Sequence, residues 1–105
     1  VLTKRQLIGT WKARDTRGGS TNYYTFNLEK DGSFLLTRKD SNDSDYYSGT
    51  WKVNNLGFIT LDVTKSVPYT EEVDKFVVYS VYDKDDNTLY IGPNDFIGSL
   101  FFYKQ

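Results

Sequence analysis

Apolar and polar residues alternate with a period of two along most of the chain, the spacing of strands that bury one face. "IGTWKAR" at 8–14 sets Gly9, Trp11 and Ala13 against Thr10, Lys12 and Arg14. "NYYTFNLE" at 22–29 sets Tyr24, Phe26 and Leu28 against Thr25, Asn27 and Glu29. "SFLLTRK" at 33–39 follows, then "YYSGTWKVN" at 46–54 with Tyr47, Gly49, Trp51 and Val53 on one face. "FITLDVT" at 58–64 places Ile59, Leu61 and Val63 opposite Thr60, Asp62 and Thr64. "KFVVYSVY" at 75–82, "TLYIG" at 88–92 and "SLFFYK" at 99–104 bring the predicted strands to eight. "KDG" at 30–32, "NNLG" at 54–57 and "DKDDN" at 83–87 are tight turn signals, whereas "DTRGGS", "DSNDSD", "SVPYTEEVD" and "PNDFIG" are longer connections. Only the opening "VLTKRQL" has a helical pattern, with Thr3 as candidate N-cap and one or two turns before Gly9.

Short polar turns between consecutive strands predict an all-β fold: an eight-stranded antiparallel up-and-down barrel with a short N-terminal helical turn, one domain over residues 1–105. The rival is a two-sheet sandwich, which usually needs longer Greek-key connections. With 38% apolar residues but 17% aromatic ones, the core must be built from a few large side chains. The charge balance of 13 basic against 14 acidic residues offers no global field for nucleic acid or an anionic membrane. No apolar run approaches a membrane span. Cys, His and Met are absent, which excludes disulfides, thiol nucleophiles, thiolate metal sites and the commonest general base. An enzyme would have to work with carboxylates, Tyr, Lys or hydroxyls, so a non-catalytic protein without cofactor is expected. The chain opens on Val1 rather than Met, consistent with a removed leader, anchor or tag.

The only two Trp residues sit in two copies of Gly-Thr-Trp-Lys, at Gly9–Lys12 and Gly49–Lys52. In each copy Gly and Trp share a face, where the Gly leaves space beside the indole and lets the strand bend. Both Trp residues are therefore read as core plugs, with Gly9 and Gly49 as their structural companions. The residues after the two copies do not match, which argues against an internal duplication.

A helical turn leading into Gly-x-Trp on the first strand of a meander resembles the calycin group, and more closely the short bacterial lipocalin-like domains. The matching positions are Leu7–Trp11, "FNLEKDGSF" from Phe26 to Phe34, and Gly49–Trp51. The Thr-Asp-Tyr signature of full-length lipocalins is missing, and Lys104 stands where they set an Arg against the first Trp. The resemblance implies a secreted or periplasmic binding module, in some cases tethered as an outer-membrane lipoprotein. Its partner would be a small apolar or amphipathic ligand or a protein, and the module a monomer. The alternative is a small barrel-type inhibitor of a protease or other hydrolase. The short chain implies a mostly filled interior.

"DSNDSD" and "DKDDN" look like calcium loops, but neither places Gly and Glu as an EF-hand requires, so solvated turns are the expectation and no metal is assigned. Asn42-Asp43-Ser44 matches a glycosylation sequon. Arg38 points inward if Phe34 and Leu36 do, and an inward Arg at a barrel mouth suits a carboxylate or phosphate. If Leu35 and Thr37 point inward instead, Arg38 is plain surface. Tyr23, Tyr24, Tyr46, Tyr47 and Tyr69 are candidates to line an opening or a contact surface. In a meander the connections after strands one, three, five and seven share an end. That rim is the expected binding end, with Arg38, Tyr69 and Phe96 contacting the partner; alternatively, both aromatics fold back to cap the core.

Overall fold

The computed structural model describes residues 4–67, 75–94 and 98–105. One helical turn, α1 (Lys4–Leu7), precedes β1 (Gly9–Asp15), β2 (Asn22–Leu28), β3 (Ser33–Lys39), β4 (Ser44–Val53), β5 (Phe58–Val67), β6 (Lys75–Asp83), β7 (Thr88–Asn94) and β8 (Gly98–Lys104). Every strand pairs antiparallel with its neighbour in sequence and β8 returns to β1, closing the barrel. Closure covers part of the edges that an open sheet of these strands would present, the β1–β8 register being two pairs long. Thr3, the candidate N-cap, lies outside the described residues.

The alternation in the sequence sets the inner face. Trp11, Phe26, Leu28, Leu36, Trp51, Ile59, Leu61 and Phe102 are all buried. On β3 the phase is settled by one pair: Leu36 is 1% exposed and Leu35 is 37% exposed. Arg38 therefore shares the inward face with Phe34 and Leu36. The interior is packed with rings. Phe26 meets Phe34 at 6.4 Å and Phe102 at 6.1 Å between centroids, and Tyr24 meets Phe102 at 6.5 Å. Such edge-on contacts fill the lumen of a barrel this narrow.

The sheet extends beyond the expected strands in three places. β4 starts at Ser44 rather than 46, because Lys39 pairs with Ser44 and Arg38 with Asp45. Only residues 40–43 of "DSNDSD" are thus loop, closed by Asp40, whose Oδ1 accepts from the backbone N–H groups of Asn42 and Asp43. β5 runs on to Val67 through an irregularity: Ser48 pairs with Lys65 and Gly49 with Val63, leaving Thr64 as the extra residue of a bulge. The third extension is that β7 reaches Asn94 and β8 begins at Gly98, so Pro93, Asn94 and Gly98 of "PNDFIG" belong to strands.

The two glycines before the tryptophans do different work. At Gly9, with φ 137°, a Cβ would lie 2.9 Å from Cε of Lys104. The space beside Trp11 is thus taken by the Lys104 side chain, whose Nζ sits 5.5 Å from the indole centroid. At Gly49 a Cβ would collide with the backbone carbonyl oxygen of Asp62. Gly49 is required by the close approach of β5 at the bulge rather than by space for Trp51.

Candidate functional site

The two ends of the barrel differ in chemistry. At the end holding α1 and the turns at 29–32, 54–57 and 84–87, each indole ties down a closing element. The Trp11 Nε1–H donates to the Leu7 carbonyl at 2.8 Å, satisfying one of the orphan carbonyls at the end of α1. The Trp51 Nε1–H donates to the Glu29 carbonyl at 3.0 Å, and its backbone N–H to the Gly32 carbonyl at 2.8 Å. Lys4 Nζ lies 5.5 Å from the Trp51 ring, a cation over an aromatic face. Ser80, buried on β6, donates its hydroxyl and its N–H to the Gly57 carbonyl. This end is closed by main-chain and indole hydrogen bonds.

At the opposite end, where β1, β3, β5 and β7 finish, the inward face turns polar. Asp15, Asn22, Arg38 and Asp45 stand in phase with the buried residues of β1 to β4. Arg38 is the hub. Its Nε donates to Asp45 Oδ1 at 2.9 Å; its Nη1 donates to Asn22 Oδ1 at 2.7 Å and to Asp40 Oδ2 at 2.9 Å. Its side chain is 20% exposed, with Asp40 and Asp45 similar. The guanidinium thus ties β2, β3, β4 and the 40–43 loop into one clamp, and the adjacent carboxylates, Asp40 first, raise its pKa further. Asp40 is held down to about 2 by the Asp43 N–H, then by Arg38 and the Asn42 N–H.

Beneath the clamp, Tyr24 is buried and Tyr47 half-buried against the core. Burial is the main cause that raises both phenols, with Asp15 contributing at Tyr24 and Asp45 at Tyr47. Both stay neutral near neutral pH. Asp15 is lowered by its hydrogen bonds from Arg17.

Of the expected partner-binding residues, the structure places Arg38 at the rim, inward and bonded to two carboxylates and an amide. An anionic ligand would have to displace one of these carboxylates. Tyr69 and Phe96 lie outside the described residues. Tyr23 faces outward and is 54% exposed; Tyr46 lies 5.9 Å from Lys65 Nζ. Asn22, Asp40 and Asp45 are the clamp residues that sequence reasoning missed. The available signal was the hairpin: Arg38 and Asp45 are equidistant from the centre of 40–43. In "DKDDN", Asp83 Oδ1 accepts from the N–H groups of Asp85 and Asp86, so its acidic residue shapes a turn as Asp40 does. Among the described residues, no group of carboxylates is arranged to hold a metal ion, and no helix is long and apolar enough to cross a membrane. No family model, curated protein or solved structure matches the chain.

Proposed function

We propose that this protein is a non-catalytic binding module that engages a protein partner at the long-loop end of the barrel. The packed lumen carries the reading. Phe26, Phe34 and Phe102 meet across the space that a buried ligand would occupy, and an eight-stranded barrel holds either side chains or one small ligand. A small apolar or amphipathic ligand therefore ranks below a protein that docks on the surface. The Arg38 clamp supports the choice of end, because it fixes three strands and a loop before any partner arrives and so lowers the ordering cost of binding. Inhibition of a protease or other hydrolase is one form this activity would take. A secreted or periplasmic location, with or without a lipoprotein anchor, rests on the resemblance to short bacterial lipocalin-like domains.

Photo-crosslinking tests the reading. A benzophenone side chain replaces exposed Ser20 or Asn42 at the rim, and Leu56 or Asp85 at the other end. In an extract of the source organism, protein adducts from the rim positions alone are expected. Adducts from Leu56 and Asp85 alone, or a lipid retained in the native mass spectrum, would overturn it.

A further inference from the structure

The barrel is not closed evenly. The β1–β8 ladder consists of two pairs, Trp11 with Lys104 and Lys12 with Tyr103. Yet β1 continues to Asp15, and β8 reaches back to Gly98. The Gln105 N–H donates to the Thr10 carbonyl at 2.9 Å, which sets the alternation: 10 with 105 and 12 with 103 are the hydrogen-bonded pairs. The next such pair toward the long-loop end would be Arg14 with Phe101, and the register stops before it. The N–H and C=O groups of Arg14 and Phe101 therefore point into the seam without a ladder partner. β7 and β8 lose their register between Ile91 and Asn94, level with this gap. The extra residue lies on β7, which has two residues between Ile91 and Asn94 where β8 has only Ser99 between Gly98 and Leu100.

A groove of about 750 Å³ occupies the opening, flanked by Arg14, Arg17, Tyr23, Phe101 and Tyr103. Three of its walls are unusually apolar for an outer face: Tyr23, Phe101 and Tyr103 are 54%, 59% and 56% exposed. Its lining is basic on balance: Lys12, Arg14 and Arg17 against Asp15, which is paired with Arg17. Lys12 and Arg14 point outward along β1, and Lys39 stands beside Tyr23 on β3. Among the described residues the ion pairs are those of Arg17 with Asp15 and of Arg38 with Asp40 and Asp45, so Lys12, Arg14 and Lys39 have no carboxylate partner. Asp83 and Asp86 line an adjoining groove that shares Phe101 and Tyr103 with this one.

We propose that the open seam between β1 and β8 receives an extended acidic peptide segment of a protein partner as an added strand. Main-chain groups on both sides supply the ladder, as in other strand-addition complexes. The basic residues select carboxylates, and the exposed rings take an alternate apolar side chain. A single-stranded nucleic acid would suit the rings and cations but has no amide ladder to match Arg14 and Phe101. The inference rests on the reading of the long-loop end as the binding end and names the partner's chemistry there.

The probe is a short capped peptide alternating Glu and Val, titrated into isotopically labelled protein and followed by amide chemical shifts. Shifts centred on Arg14, Ser99 and Phe101 are expected. Peptides N-methylated at every Glu or at every Val should each bind at least about tenfold more weakly, because each loses one edge of the ladder. Arg14→Glu should weaken the unmodified peptide by a similar factor. Equal binding by the N-methylated peptides overturns the proposal, as does stronger binding of an oligothymidylate. The same shifts appearing with protein concentration alone would assign the seam to a second copy and also overturn it. Silence at the seam, with rim crosslinks intact, removes this inference and leaves the binding end in place.

Discussion

The two ends of the barrel are closed by different means. At the α1 end, buried side chains donate hydrogen bonds to the backbone of the elements that cover them: Trp11 to Leu7, Trp51 to Glu29, Ser80 to Gly57. At the long-loop end, charged side chains bond one another at the surface of the core, and one seam stays open. Buried indoles contribute through area and packing, which water does not screen. Ion pairs one-fifth exposed contribute little net stability but fix geometry. Closure by buried indoles and closure by ion pairs thus lie at opposite ends, joined by a ring-filled interior.

Breaking the closed end should have the largest effect. Trp11→Ala and Trp51→Ala should each cost about 3–5 kcal/mol in chemical denaturation, since each removes a buried ring and frees a covering element. A near-wild-type midpoint for either would show that the element above it is held by something else. Trp51→Phe keeps most of the ring but removes one of the two donors to the Glu29 carbonyl, which retains the Gly32 N–H, and should cost about 1 kcal/mol.

Next in size to the loss of a whole indole is Gly49→Ala, at about 1–3 kcal/mol, because a Cβ there forces β4 and β5 apart at the bulge. Gly18→Ala, by contrast, meets no neighbouring atom, so its cost comes only from the backbone at φ 77°.

The clamp should matter less to stability than to shape. Arg38→Ala should cost about 1–2 kcal/mol and shift amides on β2, β3 and β4 together. Shifts confined to β3 would mean that the clamp does not couple the strands. Asp40 gives a pH signature. Its folded pKa, about 2, lies below the ordinary 3.8, so its contribution is complete above about pH 4 and is lost as pH falls toward 2. Asp40→Asn should flatten that part of the stability–pH curve. An unchanged acid limb would assign acid sensitivity to other carboxylates.

How much of this could be read in the chain follows from the range of the interactions. Period-two alternation is local, so the inward set of Trp11, Phe26, Trp51 and Leu61 was legible, as was the up-and-down barrel. Lys104 against Trp11 was legible only through the family resemblance. The face of Arg38 stayed ambiguous because β3 has adjacent leucines at 35 and 36, and only the packed barrel distinguishes them. Its partners were missed because "DSNDSD" has the composition of a loop, while cross-strand pairing with Arg38 and Lys39 draws its last two residues into β4. Gly49 was assigned to the wrong cause: the bulge that demands it depends on β5, a separate stretch of chain. The open seam is least legible, since it depends on the registers of β1, β7 and β8 at once. Tyr69 and Phe96, the aromatic residues expected at the rim, lie outside the described residues.

Native-state amide hydrogen exchange tests the difference between the ends most directly. The Trp51 amide, bonded to Gly32, should exchange only through global unfolding. The Arg14 and Phe101 amides should exchange orders of magnitude faster than their strand neighbours at Ala13 and Phe102, because they face an open seam. Protection of Arg14 and Phe101 equal to that of Trp51 would mean that the ladder closes in solution, and would contradict an account in which this end is left open for a partner.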